Sequence, residues 1–303
     1  MPTTVHPLSD ADRGAMVAAR EFMLSMPAMT MTPDARPFYD DLIRQMPQAE
    51  GVNYAAGELG GVPGWWCRLD GAPDHAVLLY LHGGGYVLGS AEAYRNTAGQ
   101  FAANAGVHAF ALEYRLAPEH YFPCAVDDAI AAYDALVAQG FTRIAIAGDS
   151  AGGGLTLALL AAVNDRAVRP VAAVAVSPWT DMTATGDSMH TRSEVDPMLD
   201  REKMTSTAAL YLDGADPMDP NASPVFGSLG GLAPVLIHVG DDEVLLDDSV
   251  RYADNMASVN GHVELHVWEG MIHVFTANIA MLEAAREAMS GISEFLATRL
   301  LKD

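Results

Sequence analysis

Three clusters of residues in this chain have the types and spacing that acyl transfer requires. The first is Gly148-Asp149-Ser150-Ala151-Gly152-Gly153, which follows the apolar run Arg143-Ile144-Ala145-Ile146-Ala147 and precedes a helix-forming stretch. A serine among glycines is ordinary turn chemistry on its own. Between a buried strand and a helix it predicts a turn so tight that flanking side chains would clash, with the serine hydroxyl projecting as a nucleophile. The free N–H groups and positive dipole end of the next helix face the same spot, where negative charge would develop. The second cluster, His82-Gly83-Gly84-Gly85, ends another apolar run. Glycine amides carry no shielding side chain and can approach an oxyanion closely, and Gly83, Gly84 and Ala151 are the expected donors. A lone glycine triplet would be a flexible turn. One strand–helix–strand unit upstream of the serine elbow, it reads as an oxyanion loop. His82 is expected to be structural, because after such an elbow the order along the chain is Ser, acid, His.

The third cluster supplies a base and an acid. Of the ten histidines, His238 and His266 lie inside strand-like runs and His262 opens one. His6, His75, His108, His120 and His190 lie away from the late loops. His273, in Glu269-Gly270-Met271-Ile272-His273, follows the last strand candidate and precedes the final helix. That places it at the carboxyl edge of a parallel sheet, near Ser150. The acid belongs after the strand candidate at 234–239, where the stretch from Gly240 to Asp248 offers Asp241, Asp242, Glu243, Asp247 and Asp248. Asp247 and Asp248 fit the first turn of the next helix, where acids complement the dipole. The choice among Asp241, Asp242 and Glu243 stays open on these grounds, since an Asp or a Glu holds an imidazole equally well in principle.

These residues need a frame. Strand-like runs at 76–81, 107–112, 143–147, 171–177, 235–239 and 263–268 alternate with helical stretches at 92–104, 126–138, 152–163, 246–259 and 278–300. Ahead of them, 52–59 and 64–69 form a hairpin turning at Gly60-Gly61, which makes eight strands. Runs apolar on both faces predict a mainly parallel sheet covered by helices on both sides. The first forty-five residues read as helix without strand signals, with Ser9 as an N-cap. The stretch 179–225 has no good strand and one helix near 203–212. Residues 1–45 and 179–225 are therefore expected to form a helical cap, on a catalytic body made of 46–178 and 226–303, all one structural unit.

Composition narrows the classes of partner. With 17 basic and 39 acidic residues the net charge is −22, which repels nucleic acid and anionic membrane surfaces. No apolar run is long enough to span a membrane. The N-terminal residues show no export signal, and Cys67 and Cys124 show neither a disulfide framework nor metal-ligand spacing, so a cytoplasmic protein with free thiols is expected. Met16, Met23, Met26, Met29 and Met31 read as a packing face that could also line an adaptable acyl pocket. Trp65 and Trp66, adjacent in a strand, should face opposite ways. Asp149 should brace the elbow, and Arg115 and Asp196 are candidates for a buried bridge.

Together with Tyr114-Arg115-Leu116-Ala117-Pro118-Glu119 and Asp196-Pro197-Met198, these motifs resemble the hormone-sensitive-lipase family of bacterial esterases, in its Gly-Asp-Ser-Ala-Gly-Gly branch. The resemblance runs from the hairpin near Val52 to the last helix. It implies the α/β-hydrolase fold, a two-part cap, hydrolysis of short acyl esters, no cofactor and frequent homodimers. Many members begin an Asp-Pro-Leu triplet with the triad acid. The matching triplet here is Glu243-Val244-Leu245, so the position carries over to Glu243, with Asp242 as the alternative. Rival readings are a hydrolase of a lactone, carbamate or acetylated metabolite, and a non-catalytic binding protein on the same fold.

Overall fold

The structure is a computed structural model that describes residues 3–25 and 29–301. Nine strands, β1 (Thr3–His6), β2 (Val52–Leu59), β3 (Val62–Leu69), β4 (Ala76–Leu81), β5 (His108–Leu112), β6 (Arg143–Asp149), β7 (Ala172–Val176), β8 (Val235–Gly240) and β9 (Val263–Trp268), form one sheet. Their order is β1-β9-β8-β7-β6-β4-β5-β3-β2. Every pairing from β1 to β5 is parallel, and the β2–β3 hairpin closes one edge antiparallel.

Alternation along the central strands sends side chains into two separate cores. From β4, Leu78 and Tyr80 join Ala145 and Val174 beneath α3 (Ala91–Ala105) and α9 (Glu283–Leu300), where Phe101, Ile292, Phe295 and Leu296 meet them. Val77, Leu79 and Leu81 point to the other face, against α4 (Cys124–Ala138) and α5 (Ala151–Ala162) through Val126, Tyr133, Leu155 and Leu159. Further along that face, α8 (Leu246–Ser258) packs Tyr252 and Met256 on Ile237 and Leu265. A strand buried on both faces has no polar alternation to display, so the apolar runs follow from the helices that cover them. Local chemistry sets the helix ends: Ser90 caps α3 by accepting from the Ala93 amide, and Gly106 closes it in the left-handed region at φ 73°.

Two expectations about the secondary structure are corrected. The sheet has nine strands, because Thr3–His6 pairs in parallel with β9, from Thr3 opposite Leu265 to His6 opposite Trp268. This four-residue edge strand is mostly exposed, so no hydrophobic pattern announces it. The last helix begins at Glu283 and not near Asn278. Asp12 decides its start, accepting from the Glu283 and Ala284 amides at 2.7 and 2.9 Å. Asp12 lies on α1 (Asp10–Ser25), which Ser9 caps through the Asp12 amide at 3.0 Å.

The remaining helices are α2 (Arg36–Ile43), α6 (Ser188–Thr191) and α7 (Arg201–Leu212). Met16 is buried among Trp268, Phe275 and Leu282, with Met23 beside them, and Met29 and Met31 pack on the α4–α5 core. Met26 lies outside the described residues. Trp66 packs on Phe110 and Phe141, and Trp65 faces the other way, under the Arg95 guanidinium. Cys67 is buried and Cys124 partly so, and both are free thiols. The suggested Arg115–Asp196 bridge does not form. Arg115 pairs with Asp128 at 2.7 Å. Asp196 instead accepts from the Met198, Leu199 and Val244 amides at 2.9 Å each.

Candidate active site

Ser150 sits between β6 and α5 with φ 55° and ψ −122°, a conformation that a side chain adopts only when its surroundings force it. The surroundings do so here. A Cβ on Gly148 would collide with the carbonyl oxygens of Leu81 and Gly152, and one on Gly152 with those of Leu81 and His82. The Ser150 amide donates to Val176 O at 2.8 Å, and its carbonyl accepts from Gly154 and Trp179 at 3.0 Å. The turn is thus sewn to both neighbouring segments, and the hydroxyl is pushed toward the sheet's carboxyl edge.

His273 follows β9 and reaches the same point. Its Nε2 lies 2.9 Å from Ser150 Oγ and its Nδ1 lies 2.7 Å from Glu243 Oε2. The carboxylate can only accept, so Nδ1 carries the proton and Nε2 is free to receive one from the serine. Glu243 is fully buried. Its other oxygen accepts from the Gly240 amide at 2.6 Å and from Ser177 Oγ at 2.8 Å. Ser177 Oγ also accepts from the Val274 amide at 3.1 Å. One hydroxyl therefore ties Glu243 to the residue after His273. Sequence reasoning missed Ser177, which carries no motif; only the register that places the end of β7 beside β8 brings it there.

Burial alone would lower the His273 pKa, but the hydrogen bond and charge of Glu243 outweigh it, and the net shift is upward. Activity in the free enzyme needs the neutral ring. We expect the acid limb of kcat/KM to lie above the ordinary imidazole value of about 6.5. Glu243→Gln should move that limb down, since the two largest raising influences vanish and only the smaller ones of Asp196 and Asp149 remain. A pH–rate profile of the two proteins checks it, and an acid limb below 6.5 in the wild type contradicts it.

The two other acids in this loop do not reach the imidazole. Asp241 pairs with Arg192 at 2.8 Å and Asp242 with Arg20 at 2.6 Å. Burial raises the Asp242 carboxyl and Arg20 opposes that shift. Asp247 and Asp248 occupy the first turn of α8 as expected. There Asp247 also accepts from the Ser188 amide, and Asp248 from those of Thr180 and Asp181, at 2.7 to 2.9 Å.

The glycine loop departs from expectation at one residue. The Gly83 amide donates to Asp149 Oδ1 at 3.2 Å. It is therefore occupied and holds the loop to Asp149. Asp149 does brace the elbow: it is buried, accepts from Tyr80 at 2.7 Å and Tyr94 at 3.2 Å, and burial raises its pKa. Among the described residues the amides of Gly84, Gly85 and Ala151 donate to no protein acceptor. Gly84 and Gly85 have φ of 116° and 64°, which glycine alone adopts without strain. Over this loop lie Met31 and Thr207, whose methyl groups a Cβ on Gly85 would meet. His82 is fully buried, stacks on Tyr114 with centroids 4.2 Å apart and hydrogen-bonds Gly83 O at 2.7 Å. Burial pushes its pKa down to about 4. That suits a structural ring, and His238, paired with Trp268 Nε1 at 3.0 Å, is likewise internal.

Among the described residues no group of three or more His, Cys, Asp or Glu side chains is arranged to hold a metal ion. No described helix is long and apolar enough to cross a membrane.

Comparison with known proteins agrees with this architecture. Residues 78–277 match the family model described as alpha/beta hydrolase fold. An acetyl-hydrolase of Streptomyces hygroscopicus is 42% identical over 228 residues, 74% of this chain and 76% of that protein. An esterase of Acinetobacter venetianus is 33% identical over 88% of this chain and 89% of that protein. Among solved structures, an esterase from the bacterial hormone-sensitive lipase family superposes with a TM-score of 0.89 at 38% identity, covering 97% of this chain and 99% of that one. The chain belongs to the alpha/beta hydrolase fold family, among the bacterial esterases of the hormone-sensitive-lipase group.

Proposed function

We propose that this chain is a carboxylesterase that hydrolyses short- to medium-chain acyl esters with Ser150 as nucleophile, His273 as base and Glu243 as the acid. The observation that carries the reading is the unbroken relay from Ser150 Oγ to His273 Nε2 and from His273 Nδ1 to Glu243 Oε2, at 2.9 and 2.7 Å. His273 takes the serine proton as Oγ attacks the ester carbonyl carbon. The carbonyl oxygen becomes an oxyanion held by the Gly84, Gly85 and Ala151 amides. The carbon–oxygen bond to the alcohol then breaks, and the leaving alkoxide takes the proton from His273, giving an acyl-enzyme. Water repeats the cycle, losing its proton to His273 and releasing the acid and free Ser150. Glu243 keeps the imidazole in the right tautomer and stabilises its positive form.

Thr3–His6 belongs to the sheet, so in this reading the cap is drawn from the described residues of 7–45 and from 179–225, which Met31 and Thr207 over the oxyanion loop support. A cap of short helices leaves room for acyl chains of about two to eight carbons, a ligand-sized pocket. The test is a panel of nitrophenyl esters and lactones run beside labelling with a fluorophosphonate, which reacts only with an activated serine. Labelling at Ser150 with turnover peaking on short chains is the expected result. Efficient hydrolysis of emulsified long-chain triglyceride, with activation at the oil–water interface, would overturn the cap assignment. A narrower reading, removal of an acetyl group from one metabolite, is favoured by the resemblance to an acetyl-hydrolase, and a sharp preference for acetate over butyrate esters would select it. The family resemblance also supports a homodimer, which sedimentation of the purified protein would check, and the free thiols Cys67 and Cys124 favour a reducing, cytoplasmic compartment, which cell fractionation would check.

A further inference from the structure

We propose that Arg20 is a positioning residue for the triad, joining the loops that carry its acid and its base. The proposal rests on the assignment of Ser150, His273 and Glu243 above. Arg20 stands on α1, distant from the glycine motifs in sequence. Its guanidinium nonetheless meets three separate segments. Nη2 pairs with Asp242 Oδ2 at 2.6 Å, one residue before Glu243, and lies 3.4 Å from Gly270 O, three residues before His273. Nη1 donates to the Val195 carbonyl. The next residue, Asp196, accepts from the Val244 amide at 2.9 Å on the far side of Glu243. Glu243 is thus flanked by two residues held from outside its own loop.

The contacts fit a geometric role. A guanidinium offers five N–H donors in a rigid fork, so a single side chain can fix three acceptors relative to one another. The helix that presents it is itself anchored: Met16 is buried, and Asp12 caps α9 through two amides. The acid and base loops also touch directly, the Asp242 amide donating to Met271 O at 3.0 Å. Arg20 closes a second connection around that one. The pair is partly buried, its side chains 24% and 27% exposed, so its effect on stability is separated from its effect on rate by counting active sites. Misplacing a reacting group by about 1 Å can cost on the order of a hundredfold in rate. Asp242, the alternative acid on sequence grounds, acquires a different role here: it is the carboxylate that Arg20 grips.

The experiment compares Arg20→Ala, Arg20→Lys, Asp242→Asn and the Arg20→Ala/Asp242→Asn double variant. Active sites are counted by fluorophosphonate labelling, so that kcat refers to folded enzyme alone. Arg20→Ala is expected to lower kcat about tenfold or more while KM stays within about twofold. Arg20→Lys should recover only part, since an ammonium lacks the planar fork. The double variant should lose no more than the worse single one, as members of one contact do. The acid limb of kcat/KM supplies the sign. Loosening Glu243 from His273 moves the limb down, whereas merely deleting a nearby positive charge moves it up and a purely structural role leaves it still. Wild-type kcat in Arg20→Ala, an unmoved or raised acid limb, or additive losses in the double variant would each overturn the proposal. Failure of wild-type Ser150 to label at all would instead remove the triad assignment beneath it.

Discussion

Ser150→Ala is expected to abolish ester hydrolysis, with a loss in kcat on the order of 10⁶, and to leave the protein folded. The size follows from the mechanism: without Oγ no acyl-enzyme forms, and the polarised imidazole and the oxyanion amides have no nucleophile to serve. What survives is binding plus oxyanion stabilisation acting on water. The fold should be untouched because the substitution keeps Cβ in place and removes only the hydroxyl. The tight turn depends on Gly148, Gly152 and the backbone bonds of residue 150. Steady-state assays and circular dichroism on the same preparation check both halves. Activity retained above about a thousandth of wild type would exclude covalent catalysis by Ser150.

Glu243→Gln should cost about 10³ to 10⁴ in kcat. The amide keeps the shape but presents an N–H group where the carboxylate accepts, so it favours the tautomer with the proton on Nε2, facing the serine. The Gly240 amide and Ser177 hydroxyl need an acceptor at the other position, so the amide oxygen stays there and the NH2 group faces Nδ1. The comparison that decides the acid is Asp242→Asn in the same background. Asp242 faces Arg20 and not the ring, so its variant should lose about tenfold. If Asp242→Asn showed the larger loss and Glu243→Gln stayed near wild type, the acid would be Asp242.

Much of this was legible in the linear chain. The serine elbow, the glycine loop and the histidine after the last strand announce themselves because each needs residue types that fit little else: glycines where a Cβ would strike backbone, and apolar runs that only a doubly covered strand requires. Those constraints act over a few residues, and a local constraint leaves a local signature. They determined the fold class and singled out Ser150 and His273. The acid was narrowed only to a loop, since three adjacent carboxylates share the same composition and differ in direction alone.

The tertiary structure decided what depends on direction and on partners distant along the chain. It turned Glu243 toward His273 and gave Asp241 and Asp242 to Arg192 and Arg20. It took the Gly83 amide for Asp149, while among the described residues those of Gly84, Gly85 and Ala151 donate to no protein acceptor. It also placed Ser177 between the acid and base loops, and paired an exposed N-terminal strand with β9. None of these leaves a pattern in composition or periodicity, because a hydrogen bond between residues 66 or 222 positions apart is set by strand register and helix docking, not by neighbours in the sequence.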